Sequence, residues 1–200
     1  VLESTVAQRT QELVEQHKAL DASHQVVVGS VNYASRLQRG QLPRPNRLED
    51  RFVSFSALWE PRDTIGGDVY WLSSSEHEGS FAVAVADCTG HGVPGAMLSL
   101  LVSNSLERIY AQDSVQDPAA ALLSLDHYVR SGLNQDRPDS ESDDGCDAVL
   151  LQIDRERKKV AFAGAKLGLF HIRGSGELTR HGGARCSFGC RMGIAGWRPC

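Results

Sequence analysis

The chain has 200 residues, 41% of them hydrophobic and 23% charged, with a formal net charge of -4. That suits one globular domain with a real core, and it excludes the overall basic character of a nucleic-acid-binding protein. No run of 18 apolar residues exists to span a membrane as a helix, and the N-terminus lacks the basic-then-apolar pattern of a signal peptide. The first residue is Val1 rather than Met, so a piece of a longer protein is expected.

Residues 1–38 read as a polar helix. Val6, Leu13, Leu20 and Val27 recur every seven positions, the spacing of a coiled-coil seam, although Arg9, Gln16 and Ser23 fall where its second row should be apolar. The expectation is a signalling or dimerising helix leading into the domain, against the alternative of a surface helix packed on its own domain. The pattern resumes through Val31, Ala34 and Leu37, and Gly40, Pro43 and Pro45 end it, because proline cannot continue a helix. Residues 43–47 then form a linker.

A β-rich region follows. Residues 51–59 alternate and predict a half-buried strand. Residues 60–63 predict a turn, 68–72 a second strand, and 73–79 a hairpin loop. Residues 81–86 (FAVAVA) are continuously apolar and predict a strand buried on both faces, closed by Asp87. Two helices come next, one over residues 96–110 with Pro94 near its start and one over residues 118–133, capped by Asp117 with Pro118 at its first position. The acidic stretch 134–146 predicts a mobile surface loop. Strands are expected over 147–153, 160–164, 168–172 and 177–180. Strands grouped apart from helices indicate an α+β fold. The tail from residue 184 onward has no periodicity and reads as a loop.

Three aspartates occupy similar places. Asp68 opens a strand after Gly66 and Gly67, Asp87 closes one before Cys88, and Asp147 opens one after Gly145 and Cys146. Carboxylates at strand edges are costly unless paired, hydrogen-bonded or bound to metal, and adjacent glycines let the backbone approach closely. Ordinary turn aspartates are the alternative. Strand edges of one sheet can converge on one point, and oxygen ligands select hard cations, so magnesium or manganese is expected rather than zinc. Two such ions activate a bridging water and clamp a phosphoryl group. No G-x-S-x-G element or P-loop competes. The five cysteines, Cys88, Cys146, Cys186, Cys190 and Cys200, lack a C-x-x-C pair and fit a reducing compartment. The arginines at 36, 39, 44, 47 and 51 read as a solvated linker rather than a nucleic-acid surface.

These residues resemble the PPM-type, or protein phosphatase 2C-like, serine/threonine phosphatases of bacteria, in their SpoIIE/RsbU branch. Residues 34–38 (ASRLQ) with Leu42 and Pro43 resemble the element that precedes the domain. PRDTIGGDVY (61–70) resembles the first metal motif, and DCTGHG (87–92) resembles D-V-S-G-H-G. Residues 145–151 with FAGA (162–165) resemble the late acidic strand and its neighbour. The match covers about residues 33–182.

The resemblance implies an α-β-β-α sandwich of two antiparallel sheets, with residues 1–43 as a signalling helix and residues 44–200 as the phosphatase domain. It implies two Mn2+ or Mg2+ ions, bridged by Asp87 and held by Asp68 on one side and Asp147 on the other, with the Cys88 backbone carbonyl and the Gly67 backbone close by. His91 belongs to the same loop, either as a proton donor or as a loop-stabilising residue. The implied substrate is a phosphorylated STAS-type regulatory protein in partner-switching signal transduction. Family members commonly sit behind sensor domains, and SiaA-like members are membrane receptors in which a HAMP segment leads through a helix into the phosphatase. A cytoplasmic location, a homodimer through the N-terminal helix, and membrane attachment only through an upstream sensor are therefore expected. A final acidic metal motif is expected beyond Cys200. The alternative reading is a signalling or dimerisation module with impaired catalysis.

Overall fold

The computed structural model describes residues 2–73, 79–112, 117–137, 140 and 142–189, with residues 2–4 and Gln112 described by backbone only. The centre of the expected 73–79 hairpin loop, and the tail with Cys190 and Cys200, lie outside the described residues. The fold is α+β, with a long N-terminal helix and antiparallel sheets, as the grouping of strands and helices predicts.

Helix α1 (Leu2–Gln41) is continuous through Gly29 and Gly40. A short helix α2 (Pro45–Glu49) follows, with Pro45 in its first turn. This corrects the expectation of an unstructured linker: proline is well placed at a helix start because its missing N–H would have no helical partner there, and Leu48 is buried.

Strands β1 (Val69–Leu72), β2 (Ser80–Cys88), β3 (Cys146–Asp154) and β4 (Lys159–Ala165) form an antiparallel sheet in that order. Between β2 and β3 run helices α3 (Gly92–Gln112) and α4 (Pro118–Gly132), which cover one face. Asp117 caps α4 as expected, accepting from the Ala119 N–H. Strands β5 (Leu169–Ile172) and β6 (Leu178–His181) make a separate two-stranded antiparallel sheet.

Side chains alternate across the four-stranded sheet. Toward the helices point Val69, Trp71, Ala82, Ala84, Ala86, Cys88, Cys146, Ala148, Leu150, Ala163 and Ala165, packed on Leu98, Val102 and Leu106 of α3 and Leu122, Leu125 and Val129 of α4. Small alanines on β2 let the helices seat closely. Cys88 and Cys146 are cross-strand neighbours on this face, with their Sγ atoms 3.0 Å apart.

Among the described residues, the other face is covered at one end only. There Leu72 and Phe81 pack with Leu48 of α2, flanked by Phe52, Tyr70, Val83 and Ile153. Along β2 this face opens progressively, and Val85 is 44% exposed. Both-face burial of residues 81–86 is therefore corrected: the run is apolar throughout because α2 and Phe52 cover its first half, not because a layer covers all of it.

The expected strand over residues 51–59 is also absent. Phe52 and Phe55 share one side, with ring centroids 5.6 Å apart, and Phe52 meets Phe81 edge-on. That three-residue spacing anchors an irregular segment, while Val53 and Leu58 stand in solvent. Asp87 does not close β2: it lies within the strand, paired with Asp147, and the ladder runs on to Cys88.

The acidic loop is tethered rather than free. Gln135 is buried; its side chain accepts from the Asp144 N–H and donates to the Asp144 and Gly189 carbonyls. The start of the tail is likewise built in. Ala184 bridges to Ala165, Phe188 exchanges two backbone hydrogen bonds with Cys146, and the Phe188 ring is fully buried. The tail's lack of periodicity hid this because single bridges have none.

Candidate metal centre

The register of the sheet builds the site. On β1 and β2, Val69 faces Ala86, so Asp68, one residue earlier, comes level with Asp87. On β2 and β3, Asp87 faces Asp147. On β3 and β4, Ala148 faces Ala165, so the next position sets Lys166 level with Asp147. Asp68, Asp87, Asp147 and Lys166 thus form one row across four chain segments. Their neighbours Val69, Ala86, Ala148 and Ala165 all point into the helix-side core, so alternation turns the row to the opposite, open face.

The row repels itself. Burial pushes the Asp87 carboxyl above its ordinary range; its hydrogen bond to Asp68 and the negative charges of Asp68 and Asp147 push it further the same way. At Asp147, Ser187 Oγ donates to Oδ1 at 2.6 Å and Lys166 Nζ lies 3.6 Å away. The Lys166 backbone is left-handed, with φ 55°, a conformation uncommon outside glycine, asparagine and aspartate. A groove of about 420 Å³ opens here, lined by Asp87, Thr89, His91, Asp147, Lys166 and Ser187, among others. Asp68 stands beside this groove rather than in its lining.

Two loops are held at the row's edges. Thr89 and Gly145 exchange backbone and side-chain hydrogen bonds, fixing the loops after β2 and before β3. The Asp68 carbonyl accepts from Trp59 Nε1 at 2.8 Å. Behind Asp68 the backbone is crowded: a Cβ on Gly67 would sit 2.6 Å from the Cys88 carbonyl oxygen and 2.9 Å from that of Gly90, and one on Gly95 would sit 2.6 Å from the Gly90 carbonyl oxygen. The Cys88 carbonyl therefore lies against Gly67, while the Cys88 side chain turns into the core, away from the carboxylates. His91 Nδ1 is 2.9 Å from Asp63 Oδ2, and both are substantially exposed. That contact ties the loop after β2 to the loop before β1.

Three carboxylates in a row supply the hard oxygen donors that a divalent cation of the magnesium or manganese type takes, and such ions keep several waters when only one or two carboxylates hold them. Among the described residues, no three carboxylate, histidine or cysteine side chains converge on one point as a finished cage. The donor chemistry fits a cation.

Sequence reasoning passed over Lys166, Ser187, Thr89 and Trp59. Lys166 was detectable, since it follows the alternating strand FAGA by one position. Ser187 lies in a segment with no pattern.

Among known proteins, the family described as Stage II sporulation protein E (SpoIIE) matches residues 77–188. A solved structure, the SiaA-PP2C domain of Pseudomonas aeruginosa, is 34% identical to the chain, with a TM-score of 0.68. The match covers 84% of this chain and 65% of that one, so the chain spans just under two thirds of its length. No curated protein matches the chain. With more than half of its residues inside the family's match, including Asp87, Asp147 and Lys166, this chain belongs to the SpoIIE family.

Proposed function

We propose that the chain acts as a metal-dependent protein serine/threonine phosphatase. The observation that carries this reading is the row of Asp68, Asp87 and Asp147 on the open face of the sheet. A divalent cation held there would lower the pKa of a bound water and offset charge on the phosphoryl group. Asp68, Asp87 and Asp147, level with one another across the sheet, are the residues that would hold the Mn2+ or Mg2+. Ser187 and Lys166 orient Asp147, and the Lys166 ammonium offers the phosphoryl oxygens a positive charge at the groove. His91, engaged by Asp63, holds the loop after β2 and also lines the groove, within which it would serve as a proton donor.

The substrate we propose is a phosphoserine or phosphothreonine of a STAS-type regulatory protein, in a partner-switching pathway on the cytoplasmic side, with any membrane attachment supplied by an upstream sensor. The groove's openness suits a residue presented on a folded protein surface. The test is hydrolysis of such a phosphoprotein with Mn2+, followed by intact mass. Wild type is expected to remove the phosphate and an Asp147→Asn variant to leave it in place. Equal hydrolysis by both removes the centre from the chemistry.

The exposed seam of the N-terminal helix is the observation behind a second reading, a signalling or dimerisation module with impaired catalysis. A phosphoprotein left intact at millimolar Mn2+ selects it. In either reading the N-terminal helix joins two copies. Val6, Leu13, Leu20 and Val27 are each more than half exposed on a helix about 60 Å long. Sedimentation is expected to show a dimer, and Leu13→Glu with Leu20→Glu to convert it to monomer. A monomeric wild type counts against the seam.

A further inference from the structure

Helix α1 has side chains open to solvent along most of its length, and its buried polar residues are Ser35 and Gln38, near the C-terminal end. Gln38 is 3% exposed. Its Nε2 donates to the Gly66 carbonyl at 2.6 Å and to Ser99 Oγ at 3.0 Å, and its Oε1 accepts from the Gly66 N–H at 3.2 Å. One side chain thus satisfies both backbone groups of Gly66, as a neighbouring strand would, and joins three elements: α1, the loop before β1, and α3. Both amide donors are used.

Gly66 is two residues from Asp68. Pro61 packs closely on it: a Cβ added at this position would stand 2.7 Å from the Pro61 Cβ. Asp68 is held on its other side by Trp59 at its own carbonyl. The Gln38 amide and the Trp59 indole therefore fix the peptide run that delivers Asp68 to the row. A buried backbone group that loses its partner incurs its full desolvation cost, so α1 and this loop move together or the bonds break.

We propose that Gln38 is a positioning residue through which the orientation of α1 sets the place of Asp68, and hence the cation affinity of the row. The inference rests on the reading of Asp68 as a cation ligand. Ser35, one turn away and also buried, makes no hydrogen bond to the loop among the described residues, so it separates helix packing from the clamp.

The test is Mn2+ affinity of the whole chain, read as free Mn2+ by electron paramagnetic resonance, with folding checked by circular dichroism. Gln38→Leu is expected to weaken Mn2+ binding by about tenfold or more, the scale seen when a partner of a metal ligand is lost, while Ser35→Ala leaves it unchanged. A second measurement uses wild type alone: Mn2+ is expected to slow amide exchange both at residues 66–68 and in the last two turns of α1. Unchanged affinity in folded Gln38→Leu, equal weakening by Ser35→Ala, or protection confined to residues 66–68 overturns the inference while the cation reading stands. Wild type that takes up no Mn2+ overturns the cation reading and this inference with it.

Discussion

Asp87→Asn is expected to abolish Mn2+-dependent hydrolysis and, at the same time, to raise the melting temperature of the metal-free protein at pH 7. The first effect follows from the position of Asp87 between Asp68 and Asp147; under the proposed reading of Asp87 as a cation ligand, loss of at least about 100-fold in activity is expected, given that even the outer supports of a ligand are worth 10–100-fold. The second follows from the sign of the Asp87 shift. Its carboxyl titrates above the ordinary value of 3.8, through burial and through the negative charge of Asp68 and Asp147. A raised acid favours the protonated form in the fold, so its contribution to stability is complete below the unfolded value and is lost as pH rises through the folded one. At pH 7 the ionised Asp87 therefore costs stability that asparagine does not. Because the group is open to solvent, the gain is modest, on the order of 0.5 kcal/mol or about 1–2 °C. Calorimetry at pH 7 and pH 3 checks it: the gain is expected at pH 7 and absent at pH 3. In wild type Mn2+ is expected to raise the melting temperature, and in Asp87→Asn to leave it unmoved. A metal-free variant that melts lower than wild type at pH 7 would mean the row is not self-repelling.

Gly95→Ala is expected to be destabilising by about 1–3 kcal/mol, although alanine is the better helix former by about 1 kcal/mol. Gly95 lies in the first turn of α3, where an added Cβ would stand 2.6 Å from the Gly90 carbonyl oxygen and 3.1 Å from the Gly67 Cα. These are backbone atoms of the two loops that flank the carboxylate row, and no side chain can swing aside. The methyl group is expected to push the loop of Gly67 and Asp68 away from β2, so hydrolysis falls together with stability. Gly29→Ala is the counterpart. It lies in α1 with nothing within 4 Å of the added carbon, so propensity acts alone and a gain of about 0.5–1 kcal/mol is expected. Urea denaturation of the two variants separates the effects. A stabilised Gly95→Ala would show that the loops yield easily.

The parts of the fold legible in the sequence were those with a period or a local cap: α1, the two central helices with Asp117 as cap, and the strands from β1 to β6. Residues 51–59 misled because alternation describes a strand only where a neighbouring strand offers its hydrogen bonds, and here two phenylalanines three apart anchor an irregular segment instead. Residues 81–86 misled because one unbroken apolar run serves two covers, the helices on one face and α2 with Phe52 on the other. The three aspartates stood out by their glycine neighbours, but their alignment is a matter of register, which no single strand carries. Gln38 was visible only as one letter of a resemblance. Its partner lies 28 residues away, and nothing in the intervening sequence announces a side chain that substitutes for a strand. Ser187 and Phe188 act through isolated contacts, for which composition has no signal.

The same register also guards against misfolding. A slip of one residue between β2 and β3 exchanges the two faces of the slipped strand. Asp87 or Asp147 would then turn into the alanine-lined core beneath α3 and α4, where an unpaired carboxylate is severely penalised. The residues that gather charge at the open face thus also act as proofreading marks during strand assembly. A mispaired sheet is rejected energetically before it could persist as a stable, inactive form.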